Sequence, residues 1–404
     1  MTVSRRSMLK MAAGASLMPW APGLNVAFAA DTTSPRNVLV YIFLRFGMDG
    51  LMLLAPSDTG DFRDKRRNIA IGTTGVNAGR NIGALDGVPM FLHPDAEQLR
   101  LMYNAGKLAF IHASGIPTGL RSHFEVQEMV DKGAADTEIL SNTGWLTRHL
   151  NARIGPASEF LSTADSLIGT TPLRSTGGIV QTTELKALQY YLDTERTELM
   201  RVLNKGNTPS AQSVRKTLQM AEVVKSKLST LPLTENPNYI YGNLSQKLQP
   251  LARALKLNIG LEVAAVDLGG WDHRDFIRFN FSNAVEELSN ALFAFTDDLG
   301  PDLMSRVTII AQTEFGRRVE ENANAGTDHG AASVMLAMGA GITGGKIYGA
   351  WPGLKDKDLD GGDLAVTTDS RQVLAEVLTK RMGQPAVGNV FPALAYKPLG
   401  LVTS

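Results

Sequence analysis

The sequence predicts an α/β fold built on a mainly parallel sheet. Short apolar runs of strand length recur along the chain. Helical stretches separate them, and polar loops, several rich in glycine, follow them directly. Residues 37–44 form the first run, continuous and rich in β-branched and aromatic side chains, with Gly47 and Gly50 just beyond. That pattern is a strand buried on both faces. Pro94 to Ala105 reads as a helix with Leu99, Met102 and Tyr103 on one face and Gly106 as its stop. Leu108 to His112 is a second buried strand. Ser122 opens a helix to about Lys132, with Glu125 three residues on as a capping box.

From residue 184 to about 259 the character changes. Helical stretches are expected near 184–204, 210–229 and 243–258, with Pro250 as a kink in the last. This segment reads as a helical insertion or cap. Strands return at 262–267, 306–312 and 333–338, with a helix at about 282–298. A final helix runs from Ser370 to Met382, capped by Thr368-Asp369 and stopped by Gly383.

The chain has 404 residues, 44% hydrophobic and 20% charged, enough for a large core. That composition excludes disorder and collagen-like repeats. No cysteine is present, so disulfides, thiol catalysis, cysteine-ligated zinc and iron–sulfur clusters are excluded. Forty basic residues balance forty acidic ones. No nucleic-acid partner is expected from that balance.

The first 29 residues read as an export signal. Arg5-Arg6 precedes a mild apolar stretch at 11–18, and Ala27-Phe28-Ala29 offers a small-x-small cleavage pattern. The expected partner is the twin-arginine export machinery, and the expected location is periplasmic or secreted. Residues 30–404 would form one domain with 37 basic and 40 acidic residues, a net charge of −3. No later stretch has eighteen uninterrupted apolar residues, so no mature transmembrane helix is expected.

In open parallel sheets, ligands bind beyond the carboxyl ends of the strands. Arg45 to Gly50 follow the first strand, and Arg121, Ser122 and His123 follow the second. Gly269-Gly270-Trp271-Asp272-His273-Arg274 and Thr313-Glu314-Phe315-Gly316-Arg317 follow two more. Thr327-Asp328-His329-Gly330 precede the last strand. Carboxylates and imidazoles together suit a divalent metal such as zinc or manganese. Asp49, Asp272, His273, Glu314, Asp328 and His329 are the candidate ligands. Plainer accounts stand beside these: Asp49 in a turn, Glu314 paired with Arg317 or Arg318, and Ser122 as a helix cap. His123 reads as a first-turn surface residue, His112 as a core histidine, His93 as a loop or cap residue and His149 as structural. Arg45, Arg121, Arg274 and Arg317 flank the strand ends, where forked guanidinium donors match phosphate or sulfate oxygens.

Phe43 to Leu51, Arg121 to Glu125, Gly269 to Asp272, Glu314 to Arg317, Thr327 to Gly330 and Thr367 to Asp369 together resemble the bacterial family called domain of unknown function 1501. The resemblance covers essentially the whole mature chain. That family is grouped with the alkaline phosphatase-like superfamily, which includes sulfatases and cofactor-independent phosphoglycerate mutases. The resemblance implies a three-layer α/β/α sandwich. It also implies a site in which Asp49, Asp272 and His329 match metal ligands and Ser122 matches a nucleophile at a helix start. Arg121 and Arg274 would assist catalysis, and zinc, manganese, calcium or magnesium would be the cofactor.

Two departures qualify that site. Glu314-Phe315 replaces an Asp-His pair, and Trp271-Asp272-His273-Arg274 replaces Trp-Asp-Thr-His, so a full two-zinc centre is not expected. A single-metal site, an arginine-assisted anion site and a site without catalysis stay open. The functional expectation is a metal-dependent phosphate or sulfate ester hydrolase. The alternative is a non-catalytic exported protein that binds an anionic glycan or a partner protein.

Overall fold

The structure is a computed structural model. It describes residues 24–28, 36–75, 77–135, 142–154, 161–163, 172–173, 194–230, 236–240, 242–258 and 260–403. Its strands are β1 (Leu24–Phe28), β2 (Val38–Leu44), β3 (Leu54–Ala55), β4 (Arg80–Leu85), β5 (Val88–Leu92), β6 (Leu108–Gly115), β7 (Leu161–Thr163), β8 (Leu261–Leu268), β9 (Val307–Gln312), β10 (Ser333–Gly339), β11 (Ile347–Tyr348) and β12 (Thr368–Asp369). The helices are α1 (Gly50–Leu53), α2 (Gly60–Lys65), α3 (Glu97–Asn104), α4 (His123–Lys132), α5 (Trp145–Ile154), α6 (Thr194–Leu203), α7 (Pro209–Thr230), α8 (Asn243–Lys256), α9 (Ile277–Met304), α10 (Ser370–Lys380) and α11 (Val387–Val390).

The main sheet has the order β11-β6-β10-β9-β2-β8-β1-β7, with β12 also paired to β6. Strand β2 lies parallel between β8 and β9. Strand β10 runs antiparallel to both β6 and β9, and β1 runs antiparallel to β8 and β7. The other strands share one direction, so the sheet is mixed but mostly parallel. A small antiparallel sheet, β3-β5-β4, stands apart from it.

Alternation along β2 divides the core in two. Val38, Val40, Ile42 and Leu44 join a cluster with Leu99 of α3, Leu248 of α8 and Phe281 and Leu292 of α9. Leu39, Tyr41 and Phe43 face a second cluster with Met129 of α4, Trp145 of α5 and Leu374 and Val377 of α10. Helices therefore cover both faces of the sheet, which is why β2 reads as one uninterrupted apolar run. Helix α8 falls within the 184–259 stretch, yet it packs into the first cluster through Leu244, Leu248, Leu251 and Leu255. Helix α6 buries no residue, and residues 184–193 lie outside the described residues. Among the described residues, no helix is long and apolar enough to cross a membrane.

This topology gathers the strand-end motifs. The carboxyl ends of β2, β6, β8 and β9 lie on one side of the sheet. Because β10 is reversed, the loop before it, with Thr327 to Ala332, arrives on that same side.

Candidate metal centre

His123 is the first residue of α4, and its ring is the hub of the site. Its Nδ1 donates to Glu314 Oε1 at 2.7 Å. Its Nε2 is buried with no hydrogen-bond partner and lies 3.6 Å from Asp272 Oδ2. The expected first-turn surface residue is instead a largely enclosed side chain, 11% exposed. Phe315 stacks on its ring at 4.8 Å, and Phe46 and His329 meet it edge-on at 5.5 and 4.1 Å.

Glu314 follows β9 and is buried. Its carboxylate accepts from Phe46 N, Thr313 Oγ1, Gln127 Nε2 and His123 Nδ1. Burial alone would push this carboxyl up. The hydrogen bonds from His123 and Gln127 outweigh it and hold the group below the usual glutamate value. The chain reverses tightly to bring Phe46 N there: Phe46 itself sits at φ +84°, a strained conformation for a bulky residue. Gly316 permits the next approach, since a Cβ there would lie 1.8 Å from Ala332 O.

His329 donates Nδ1 to the carbonyl of Arg121 at 2.7 Å. A carbonyl and a carboxylate can only accept, so both histidines carry their proton on Nδ1 when neutral and present Nε2 to the site. Asp272, in the loop between β8 and α9, completes the group. One ligand atom each from His123, Asp272 and His329 lie within 4.8 Å of one another. Arg317 fixes Asp272 through a 2.8 Å bond to Oδ1. The Arg317 guanidinium is fully buried and also donates to the carbonyls of Phe46, Gly47 and Trp271. Burial raises the Asp272 carboxyl, but Arg317 and then Arg274 bring it below its ordinary value. Burial, then the neighbouring cationic groups, lower His329.

The donor set fits a metal. Two neutral imidazole nitrogens and one carboxylate suit zinc, manganese or ferrous iron, and suit calcium or magnesium less, since those prefer oxygen alone. The Glu314 and Arg121 contacts are the kind of outer partners that orient ligating histidines.

The other expected residues are held by other partners or stand at the margin of this group. Asp49 caps α1 through Met52 N, pairs with the buried Arg66 at 3.0 Å and accepts from Thr327 Oγ1. His273 is buried against Trp271 and Phe281, and burial pushes it down to about 4. Asp328 is exposed. Arg45 is buried and paired with Asp131 and Asp267, so it does not line an anion site. Ser122 occupies the cap position of α4, but its side chain makes no capping bond; the expected capping box does not form. Arg121 pairs with buried Asp363 while keeping its side chain 40% exposed. The one signal for His123 in the sequence was its place in Arg121-Ser122-His123 at the end of a strand.

A family model described as a protein of unknown function (DUF1501) matches residues 112–383. The matched span contains His123, Asp272, Glu314 and His329 and begins after Asp49. No curated protein matches the chain at a significant level.

Proposed function

The chain belongs to the DUF1501 family, and we propose that it is a metal-dependent hydrolase of phosphate or sulfate esters acting outside the cytoplasm. One observation carries this reading: the unpartnered, buried Nε2 of His123 converges with His329 and Asp272, and each histidine is oriented from behind. His123, Asp272 and His329 would hold zinc or manganese. Such a metal polarises an ester oxygen and neutralises charge that develops in the transition state. Arg121 and Arg274, both partly exposed, would bind the anionic group. Ser122, at the start of α4 and free of capping, is the candidate nucleophile, with the helix N-terminus beside it favouring negative charge. The resemblance of these motifs to the alkaline phosphatase-like superfamily supports the same chemistry. The twin-arginine leader supports the location.

A non-catalytic anion-binding protein is the second reading. Arg274 and Arg317 already neutralise Asp272, and Phe315 stands where that superfamily carries an imidazole.

The test is metal analysis of protein purified without chelator, followed by a screen of aryl phosphate and aryl sulfate esters. Near-stoichiometric zinc or manganese, lost in Asp272→Asn and His329→Ala, together with turnover lost in Ser122→Ala, is expected. Metal without turnover would favour the second reading. Absence of metal from gently purified and metal-supplemented protein would reject the first.

A further inference from the structure

We infer that Arg274 is a displaceable latch on the His123–Asp272–His329 site, so that a metal and an anion bind there cooperatively. This rests on the metal site proposed above and adds how that site is regulated. The Arg274 Nη2 donates to Nε2 of His329 at 2.5 Å. Its Nε donates to Asp272 Oδ1 at 3.0 Å and Oδ2 at 3.3 Å. A guanidinium stays charged and has no acceptor, so Arg274 uses the same lone pairs that a metal requires. Asp272 Oδ1, which also accepts from Arg317, has room for more than one partner. Nε2 of His329 has a single lone pair that Arg274 and a metal cannot both use, and a guanidinium held there repels a divalent ion in a partly enclosed site. One must leave for the other to bind.

The side chain of Arg274 is able to leave. It is 53% exposed, whereas the Arg317 side chain is fully buried and held by backbone carbonyls. The backbone of Arg274 is fixed. Its carbonyl accepts from Asn322 Nδ2, Thr327 N donates to the carbonyl of His273, and a Cβ on Gly326 would lie 2.1 Å from the Arg274 carbonyl carbon. Movement is therefore confined to the side chain, whose guanidinium swings out but stays tethered beside the site. There it can bind an anionic group. An anion that holds Arg274 away lowers the cost of metal entry, and by linkage the metal strengthens anion binding by the same factor.

The experiment is a zinc titration by competition with a chromogenic chelator, with and without sodium sulfate. It is run on the full chain and on Arg274→Ala, with His329→Ala as the ligand control and circular dichroism to verify folding. Arg274→Ala is expected to bind zinc about 10- to 100-fold more tightly without sulfate, the size of one charge-assisted hydrogen bond. Sulfate should tighten zinc binding to the wild type and have little effect on Arg274→Ala. Equal or weaker zinc binding by Arg274→Ala, with His329→Ala still impaired, would overturn the latch and leave the metal site standing. No zinc binding to wild type and Arg274→Ala, or binding indifferent to His329→Ala, would overturn the metal site itself.

Discussion

Nδ1 of His123 donates to Oε1 of Glu314 at 2.7 Å, joining the start of α4 to the end of β9. The same carboxylate accepts from Phe46 N and Thr313 Oγ1. It therefore needs acceptor capacity on both oxygens, which a carboxylate has and an amide lacks. In Glu314→Gln one donor would face the new NH₂ group. Unfolding free energy should fall by about 1–3 kcal/mol, read from urea denaturation. Zinc affinity should fall about 10- to 100-fold, because the His123 ring loses its charged orienting partner. Unchanged zinc affinity would mean that His123 does not ligate.

Asp49 and Arg66 form a pair that is almost wholly withdrawn from water. Removing one charge leaves the other buried and uncompensated. Asp49→Asn should lose about 3–5 kcal/mol of stability yet keep its full complement of zinc at a temperature where it is folded. Loss of zinc stoichiometry in folded Asp49→Asn would return Asp49 to the ligand set.

The contrast between Asp49 and His123 shows where sequence reading stops. Strand β2 was legible because helices bury both of its faces, which leaves an unbroken apolar run. Helix α9 was legible in its middle, around Leu288 and Leu292; its first turns and the stretch beyond Gly300, at φ +67°, were not. The β4–β5 hairpin was missed because only Ile82 and Leu85 of β4 are buried, too little alternation to see. Asp49, Asp272, Glu314 and His329 were found because each follows or precedes a strand at the same side of the sheet. Which of them converge depends on partners far along the chain. Arg66 claims Asp49, and the rings of Phe46, Phe315 and His329 enclose His123. No local pattern encodes either fact.

His112 supplies a pH dependence independent of the site. Its Nε2 donates to Leu54 O at 2.9 Å, and its Nδ1 accepts from Ala113 N at 2.8 Å. A proton on Nδ1 would confront that N–H. Burial pushes the group down to about 4 from an ordinary 6.5, and the buried His93 behaves alike. Both depressed values lie below the unfolded one, so between pH 6.5 and 4 the unfolded chain binds more protons. Stability is then complete above about pH 6.5 and falls as pH drops toward 4, by about 1.4 kcal/mol per unit for each histidine. Urea midpoints of wild type and His112→Asn across this range should differ in slope by one proton. Parallel slopes would show that His112 titrates normally.

Strand β1 lies along β8, with Leu24 opposite Val266 and Val26 opposite Ala264. These residues belong to the segment that the leader reading removes, and the expected cleavage pattern, Ala27-Phe28-Ala29, overlaps the strand's end. Cleavage after Ala29 would strip β8 of its antiparallel neighbour. A bare edge exposes a row of backbone donors and acceptors, and amides that had been paired become open to solvent. Hydrogen exchange followed by mass spectrometry on the peptide spanning 261–268 should therefore show slow exchange in the unprocessed chain. The exported form should lose protection at the amides that face β1, while those facing β2 stay protected. Equal protection in both forms would mean that cleavage lies upstream of Leu24 or that another segment takes the vacated edge. N-terminal sequencing of the exported form separates those two outcomes.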